Sequence, residues 1–214
     1  MIMNKLIVIR AGETAWQQGR PTADESRIQG TVSLPLTDAG RKLLRTLAAN
    51  IDRLNPDCLY SSGNESSGPT ADYLAQLCNL KMKKLPDLHE LDCGLWQGLR
   101  VSEIKNRFGR AYRQWRCDPT SVRPPQGESL EEAALRVRKS LLCLNKKNQD
   151  KTIVVVAAVM AAALIECLMT GTPLEQLWQI VEKHENLRIF NISQPLDFSG
   201  ADASSITSRQ DYIA

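Results

Sequence analysis

The chain has 214 residues, 43% of them hydrophobic and 24% charged, and 27 basic against 24 acidic side chains give a formal charge of +3. That is the composition of an ordinary globular protein with one sizeable core, too short for two independent catalytic domains and too nearly neutral to argue for nucleic acid. Six cysteines, at 58, 78, 93, 117, 143 and 167, form no CxxC pair, so neither a zinc knuckle nor a redox motif is indicated and scattered reduced thiols are expected.

The opening "MIMNKLIVIR" contains an apolar run at residues 6–9 that reads as a buried strand. A charge precedes this short run and polar residues follow it directly, which does not fit a secretory signal; a cytoplasmic location is the default expectation. The strand breaks into the polar loop "RAGETAW". A helical pattern follows at 37–51, with Thr37 before Asp38 as a plausible N-cap. A short apolar run at 58–60 and a helical pattern at 69–78 repeat the alternation. "PPQGESLEEAALRVRKSLLCL" reads as a loop and then a helix, with Leu130, Ala134, Val137, Leu141 and Leu144 at helical spacing.

From Thr152, "TIVVVAAVMAAALIECLMTG" imitates a membrane span, but Glu166 leaves an uncharged run shorter than the ~20 residues a bilayer needs. A central strand at 153–156 running into a buried helix at 159–169 fits better. A late strand at 187–192 completes a sheet covered by helices on both faces, and the polar tail from Ser199 is expected to be poorly ordered. With no internal repeat and no linker, the expectation is one α/β domain over 1–198 and a tail over 199–214.

The segments "IRAGET", "RIQGTVSLPLTDAG", "YSSGNESSGPTADYLA", "LHELDCGLWQGL", "PPQGESL" and "VVVAAVMAAALI", in this order, resemble the histidine phosphatase (phosphoglycerate mutase-like) superfamily, over Lys5 to about Ile192. The compact stretch between Trp115 and Gly127 is more similar to the phosphatase branch than to the mutases. The resemblance implies a three-layer α/β/α sandwich with a mostly parallel central sheet. In the family pattern Arg-His-Gly-Glu-Thr the histidine takes the phosphoryl group; here that position is Ala11. The second histidine position, in a His-Gly-Gly segment, matches Ala158, Val159 and Met160, the second phosphate-binding arginine matches Ser66, and a frequently basic position matches Ala162. Arg10 and the acid Glu90 remain. Gly12, Thr14, Arg27, Gly30, Ser61, Ser62, Gly94, Trp96, Gly98, Gly127, Glu128 and Ser129 are still recognisable, Arg27 and Glu128 with lesser roles at the pocket edge.

A methyl group has no lone pair, so covalent catalysis at Ala11 is excluded. Losing a nucleophile that works in a unit costs up to ~10⁶ in turnover. Phosphate binding also loses charge-assisted hydrogen bonds, each worth about 1.5–3 kcal/mol. Catalytically, the resemblance leaves no intact set; the candidate ligand-binding residues are Arg10, Gly12, Thr14, Arg27 and Glu90. With its partners gone, Arg10 is expected to pair with an acidic side chain. The methyl groups of Ala158, Ala161 and Ala162 and the side chain of Val159 favour a neutral or apolar ligand, or a pocket filled by neighbouring side chains.

His89 and His184 match no catalytic position and read as structural imidazoles; adjacent residues such as His89 and Glu90 point apart. Ser61, Ser62 and Ser66 lack a histidine base, and Trp96, Trp115 and Trp178 are expected to pack the core or line the pocket wall. No HxH, HExxH or paired aspartates suggest a metal, and no cofactor is implied. Two readings stand. One is an inactive family member that binds a protein partner or a non-phosphate small molecule, with no nucleic acid or membrane partner and a homodimer as a family-level expectation. The other is a weak phosphomonoester hydrolase using Arg10, Glu90 and water, or an unidentified metal.

Overall fold

A computed structural model describes residues 2–18, 22, 24–63, 66–183 and 185–198, and the backbone of 206–208. Its centre is built by two strands buried on both faces, β1 (Lys5–Arg10) and β4 (Thr152–Ala157). They pair in parallel, with Arg10 opposite Ala157. Because side chains alternate along a strand, Leu6, Val8, Ile153 and Val155 enter one core while Ile7, Ile9, Val154 and Val156 enter the other. A continuous run of β-branched residues is thus what two covered faces require.

The sheet has the order β3-β2-β4-β1-β5-β6. β2 (Cys58–Ser61) lies parallel to β4, and β3 (Met82–Lys84) parallel to β2. β5 (Leu187–Ile192) runs antiparallel to β1, and β6 (Ile206–Ser208) antiparallel to β5. One face is covered by α1 (Asp38–Asp52) and α2 (Gly68–Leu77), through Leu44, Ala48, Ile51, Ala71 and Leu74. The other is covered by α4 (Leu130–Lys147) and α5 (Val159–Thr170). Residues 130, 134, 137, 141 and 144, chosen by spacing, are all buried. The outcome is the expected three-layer, mostly parallel architecture.

Local chemistry sets the helix ends. The Thr37 hydroxyl accepts from Gly40 N at 3.0 Å, capping α1 as its position predicted. Ser129 and Glu132 form a reciprocal capping box at α4. α5 stops at Gly171, whose φ of 68° is cheap only for glycine. The apolar stretch from Thr152 divides into β4 and α5, and no helix among the described residues is long and apolar enough to cross a membrane. Glu166, which interrupts that stretch, is buried and paired with Arg188 at 3.1 Å. All six cysteines are free thiols.

Sequence reading missed α3 (Val101–Cys117), α6 (Leu177–Glu182), β3 and β6. α3 carries the aromatic centre of the larger core: Trp115 stacks edge-on against Trp96 at 5.2 Å, with Tyr112 6.0 Å from both. The tail expected to be poorly ordered supplies β6, because β5 offers an otherwise unpaired edge. The rest of that tail lies outside the described residues.

Candidate functional site

β1 and β4 are neighbours at the centre of the sheet, but the chain leaves them in opposite directions, through α1 toward β2 and through α5 toward β5. Their C-terminal ends therefore open a crevice, as at the switch point of any doubly wound sheet. A cavity of about 310 Å³ lies there. Arg10, Ala11, Gly12, Thr14, Arg27, Ser66, Glu90 and Ala158, scattered over the sequence, all line it. The residues that the resemblance grouped are thus brought together in space.

At its floor Ala11 N donates to Ala157 O at 2.8 Å, fixing the two alanines at the paired strand ends. Gly12 N donates to Thr70 Oγ1 at 2.9 Å, and a Cβ on Gly12 would sit 2.9 Å from Leu36 Cδ2 and 3.3 Å from Leu44 Cδ1 of α1, so the glycine permits close packing of the loop against both. Thr14 is buried; its hydroxyl donates to Gln29 Oε1 at 3.0 Å and its N–H to Gln17 Oε1 at 2.9 Å. Gly12 and Thr14 line the cavity, but their polar groups are committed to holding the loop.

Glu90 is the residue whose role the sequence did not disclose. α5 begins at Ala158, which has no side chain able to cap it. Glu90, carried in from the loop before α3, does so instead. Its Oε2 accepts from Met160 N at 2.9 Å, and its Oε1 from Ala161 N at 3.0 Å and from Leu91 N at 2.6 Å. The first-turn N–H groups of a helix otherwise lack partners and carry partial positive charge. Burial raises the Glu90 carboxyl above the usual carboxylate range, and these N–H groups and Arg136 offset that only in part. Both of its oxygens are occupied as acceptors of N–H bonds.

This explains why the expected acidic partner of Arg10 is not found. No carboxylate among the described residues lies within ion-pair distance of Arg10. Its Nη1 donates instead to Val181 O at 3.1 Å. Burial pushes the guanidinium down and the charge of Glu90 pushes it up, so the two sense each other without a direct pair. Glu128, expected at the pocket edge, does not line the cavity. It pairs with Arg136 and accepts from Asp92 N at 2.9 Å. Arg136, which sequence reading passed over, also donates to His89 O at 2.7 Å and Glu90 O at 3.1 Å, clamping the loop that carries Glu90. Arg27 stays at the rim, donating to Gly98 O beside the Trp16 ring.

The serines divide. Ser61 and Ser62 are buried and each shares a 2.9 Å hydrogen bond with Ser67, a closed hydroxyl cluster without a base. Ser66, at the position of the family's second arginine, is buried, and its hydroxyl has no partner among the described residues. Trp96 belongs to the core, while Trp115 and Trp178 line the cavity edge to face at 4.7 Å. Tyr112, Val181 and Arg116 line it too and were not anticipated; for Tyr112 the helical spacing of Val101, Ile104, Phe108, Tyr112 and Trp115 was the available signal. His89 Nδ1 donates to Glu90 O at 2.8 Å and the ring does not line the cavity; His184 lies outside the described residues. No metal-ligand cluster occurs among the described residues.

The model of the histidine phosphatase superfamily (branch 1) matches residues 6–194. The chain is similar to phosphoserine phosphatase 1 of Hydrogenobacter thermophilus, with 30% identity over 82% of this chain and 81% of that protein. It is 29% identical to a probable phosphoglycerate mutase of Proteus mirabilis, over 80% of this chain and 77% of the relative. Among solved structures, YhfR of Bacillus stearothermophilus superposes with a TM-score of 0.78 at 21% identity, covering 89% of this chain and 92% of that one. The α-ribazole phosphatase of Shigella flexneri gives 0.75 at 22% identity, covering 96% and 94%. This chain belongs to branch 1 of the histidine phosphatase superfamily.

Proposed function

We propose that this protein is a non-catalytic member of its superfamily whose former phosphoryl-transfer pocket now binds rather than turns over a ligand. The observation that carries this reading is the state of Glu90: both carboxylate oxygens are held by N–H groups of Leu91, Met160 and Ala161. An acid serving proton transfer needs an oxygen within reach of the leaving group. Here that carboxylate acts as the cap of α5. Beside it stand the methyl groups of Ala11 and Ala158, neither able to attack phosphorus nor to stabilise a phosphoryl oxygen.

The electrostatics agree. Of the arginines at the cavity, Arg116 is paired with Glu182 at 2.7 Å and Arg27 is committed to Gly98 O. Arg10 remains as the cation of the inner end. A phosphate dianion placed there gains one guanidinium where Ala11, Ser66 and Ala158 stand in place of further cationic or N–H donors, so both binding and turnover are disfavoured.

The test is a panel of phosphomonoesters assayed with the unaltered chain and with the combined variant Ala11→His, Ser66→Arg and Ala158→His. The expected result is no turnover by the unaltered chain above the uncatalysed rate. Turnover by the unaltered chain that falls when Arg10 or Glu90 is replaced would establish the hydrolase reading instead.

A further inference from the structure

We propose that the cavity takes a small monocarboxylate with an apolar or aromatic body, its carboxylate on Arg10 and Ser66 and its body against Trp115, Trp178 and Tyr112. This rests on the non-catalytic reading and names the ligand chemistry of the same site. Ser66 is the first pointer: the residue lines the cavity and is 5% exposed, and its hydroxyl has no hydrogen-bond partner among the described residues. Buried hydroxyls are almost always partnered, so a solitary one lining a cavity marks a place for a ligand atom.

Arg10 is the second pointer. It spends one hydrogen bond on Val181 O and has no carboxylate partner among the described residues, which leaves guanidinium donors for a ligand. One guanidinium without a direct carboxylate partner among the described residues matches one negative charge. A carboxylate supplies that charge in a planar, two-oxygen form suited to the guanidinium fork, whereas a phosphate dianion brings a second charge for which the cavity's inner end holds no second free cation among the described residues.

The wall supplies the rest. Trp115 and Trp178 meet edge to face at 4.7 Å, Trp178 Nε1 is fixed by Trp115 O at 2.9 Å, and Arg116 lies 4.2 Å over the Trp178 ring. Such locked aromatics offer an apolar surface at little entropic cost. A cavity of about 150 Å³ holds a benzene ring; at about 310 Å³ this one has room for a ring and a short chain.

Isothermal titration with 3-phenylpropionate, 3-phenylpropionamide, phenyl phosphate and inorganic phosphate tests this, with phosphate release followed in parallel. The carboxylate is expected to bind at least about tenfold more tightly than the amide and than either phosphate. Arg10→Gln should remove that preference, and Ser66→Ala should weaken carboxylate binding by about threefold or more. Ala158→Leu, which fills the cavity from its apolar wall and leaves Arg10 in place, should abolish binding of carboxylate and amide alike. Equal affinity for carboxylate and amide, tighter binding of phenyl phosphate without hydrolysis, or no binding of any probe would each overturn the ligand assignment alone. Hydrolysis of phenyl phosphate would overturn the non-catalytic reading beneath it.

Discussion

Replacing Glu90 with alanine should cost stability out of proportion to a pocket residue. The side chain is in a residue only 5% exposed and accepts three backbone N–H bonds, at 2.6, 2.9 and 3.0 Å. An N-cap replaced by alanine costs about 0.5–2 kcal/mol when water can take its place. Glu90 is buried in the folded chain, so each N–H it leaves without an acceptor costs about 1–3 kcal/mol. The lost attraction to the helix dipole adds about 0.5–1 kcal/mol, and relief from holding a carboxylate in the interior subtracts from the sum. A net loss of about 3–4 kcal/mol is expected, and at about 2–4 °C per kcal/mol for a domain of this size the melting temperature should fall by about 6–16 °C. Glu90→Gln keeps one acceptor oxygen but turns an amide NH₂ toward an N–H, so it should fall between the two. Urea and thermal unfolding followed by circular dichroism measure this directly. A loss below about 1 kcal/mol for Glu90→Ala, or equal losses for both variants, would refute the capping role.

Two further predictions concern the frame and the thiols. At Gly127 a Cβ would stand 2.2 Å from Asp92 O, a backbone atom that cannot yield, so Gly127→Ala should cost more than about 2 kcal/mol in urea unfolding. At Gly109, where the nearest atom is the flexible Arg113 Nη1 at 3.6 Å, alanine should gain about 0.5–1 kcal/mol through helix propensity. Burial pushes the thiols of Cys78 and Cys167 up to about 12 and that of Cys93 up further, while Cys117 is exposed. Iodoacetamide at pH 8 should therefore modify Cys117 first, with Cys78 and Cys167 only about 10⁻⁴ ionised. The folded state holds these protons more tightly than the unfolded one. Stability should thus be unaffected below the ordinary thiol value of 9.0 and decline as pH rises from there toward about 12. Rapid labelling of Cys167 in the folded chain would contradict this.

The strands were legible because burial on both faces demands an uninterrupted apolar run, as at 153–156, and the capped helices because Thr37 and Ser129 sit just ahead of a helical repeat. α3 was passed over although its apolar residues recur at helical spacing, since Gly109, a kink at Phe108 and a dense basic face mask the pattern. The resemblance located Arg10, Ala11, Gly12, Thr14, Arg27, Ser66, Glu90 and Ala158 at the cavity but not what those residues do without the histidines. That a helix starting on Ala158 would take its cap from Glu90, far away in the chain, is a tertiary event with no local signature. The same event removed the partner expected for Arg10. Arg136 was hidden because a basic residue in the turn pattern of α4 looks like a solvated charge until the loop it clamps is seen.

In the non-catalytic reading proposed above, no side chain of this pocket takes up a phosphoryl group. Incubating the purified chain with acetyl phosphate and with p-nitrophenyl phosphate, then recording its intact mass and the phosphate released, puts this to the test. An unmodified mass and release no faster than without protein are expected. A phosphorylated side chain that forms and is then hydrolysed would contradict it.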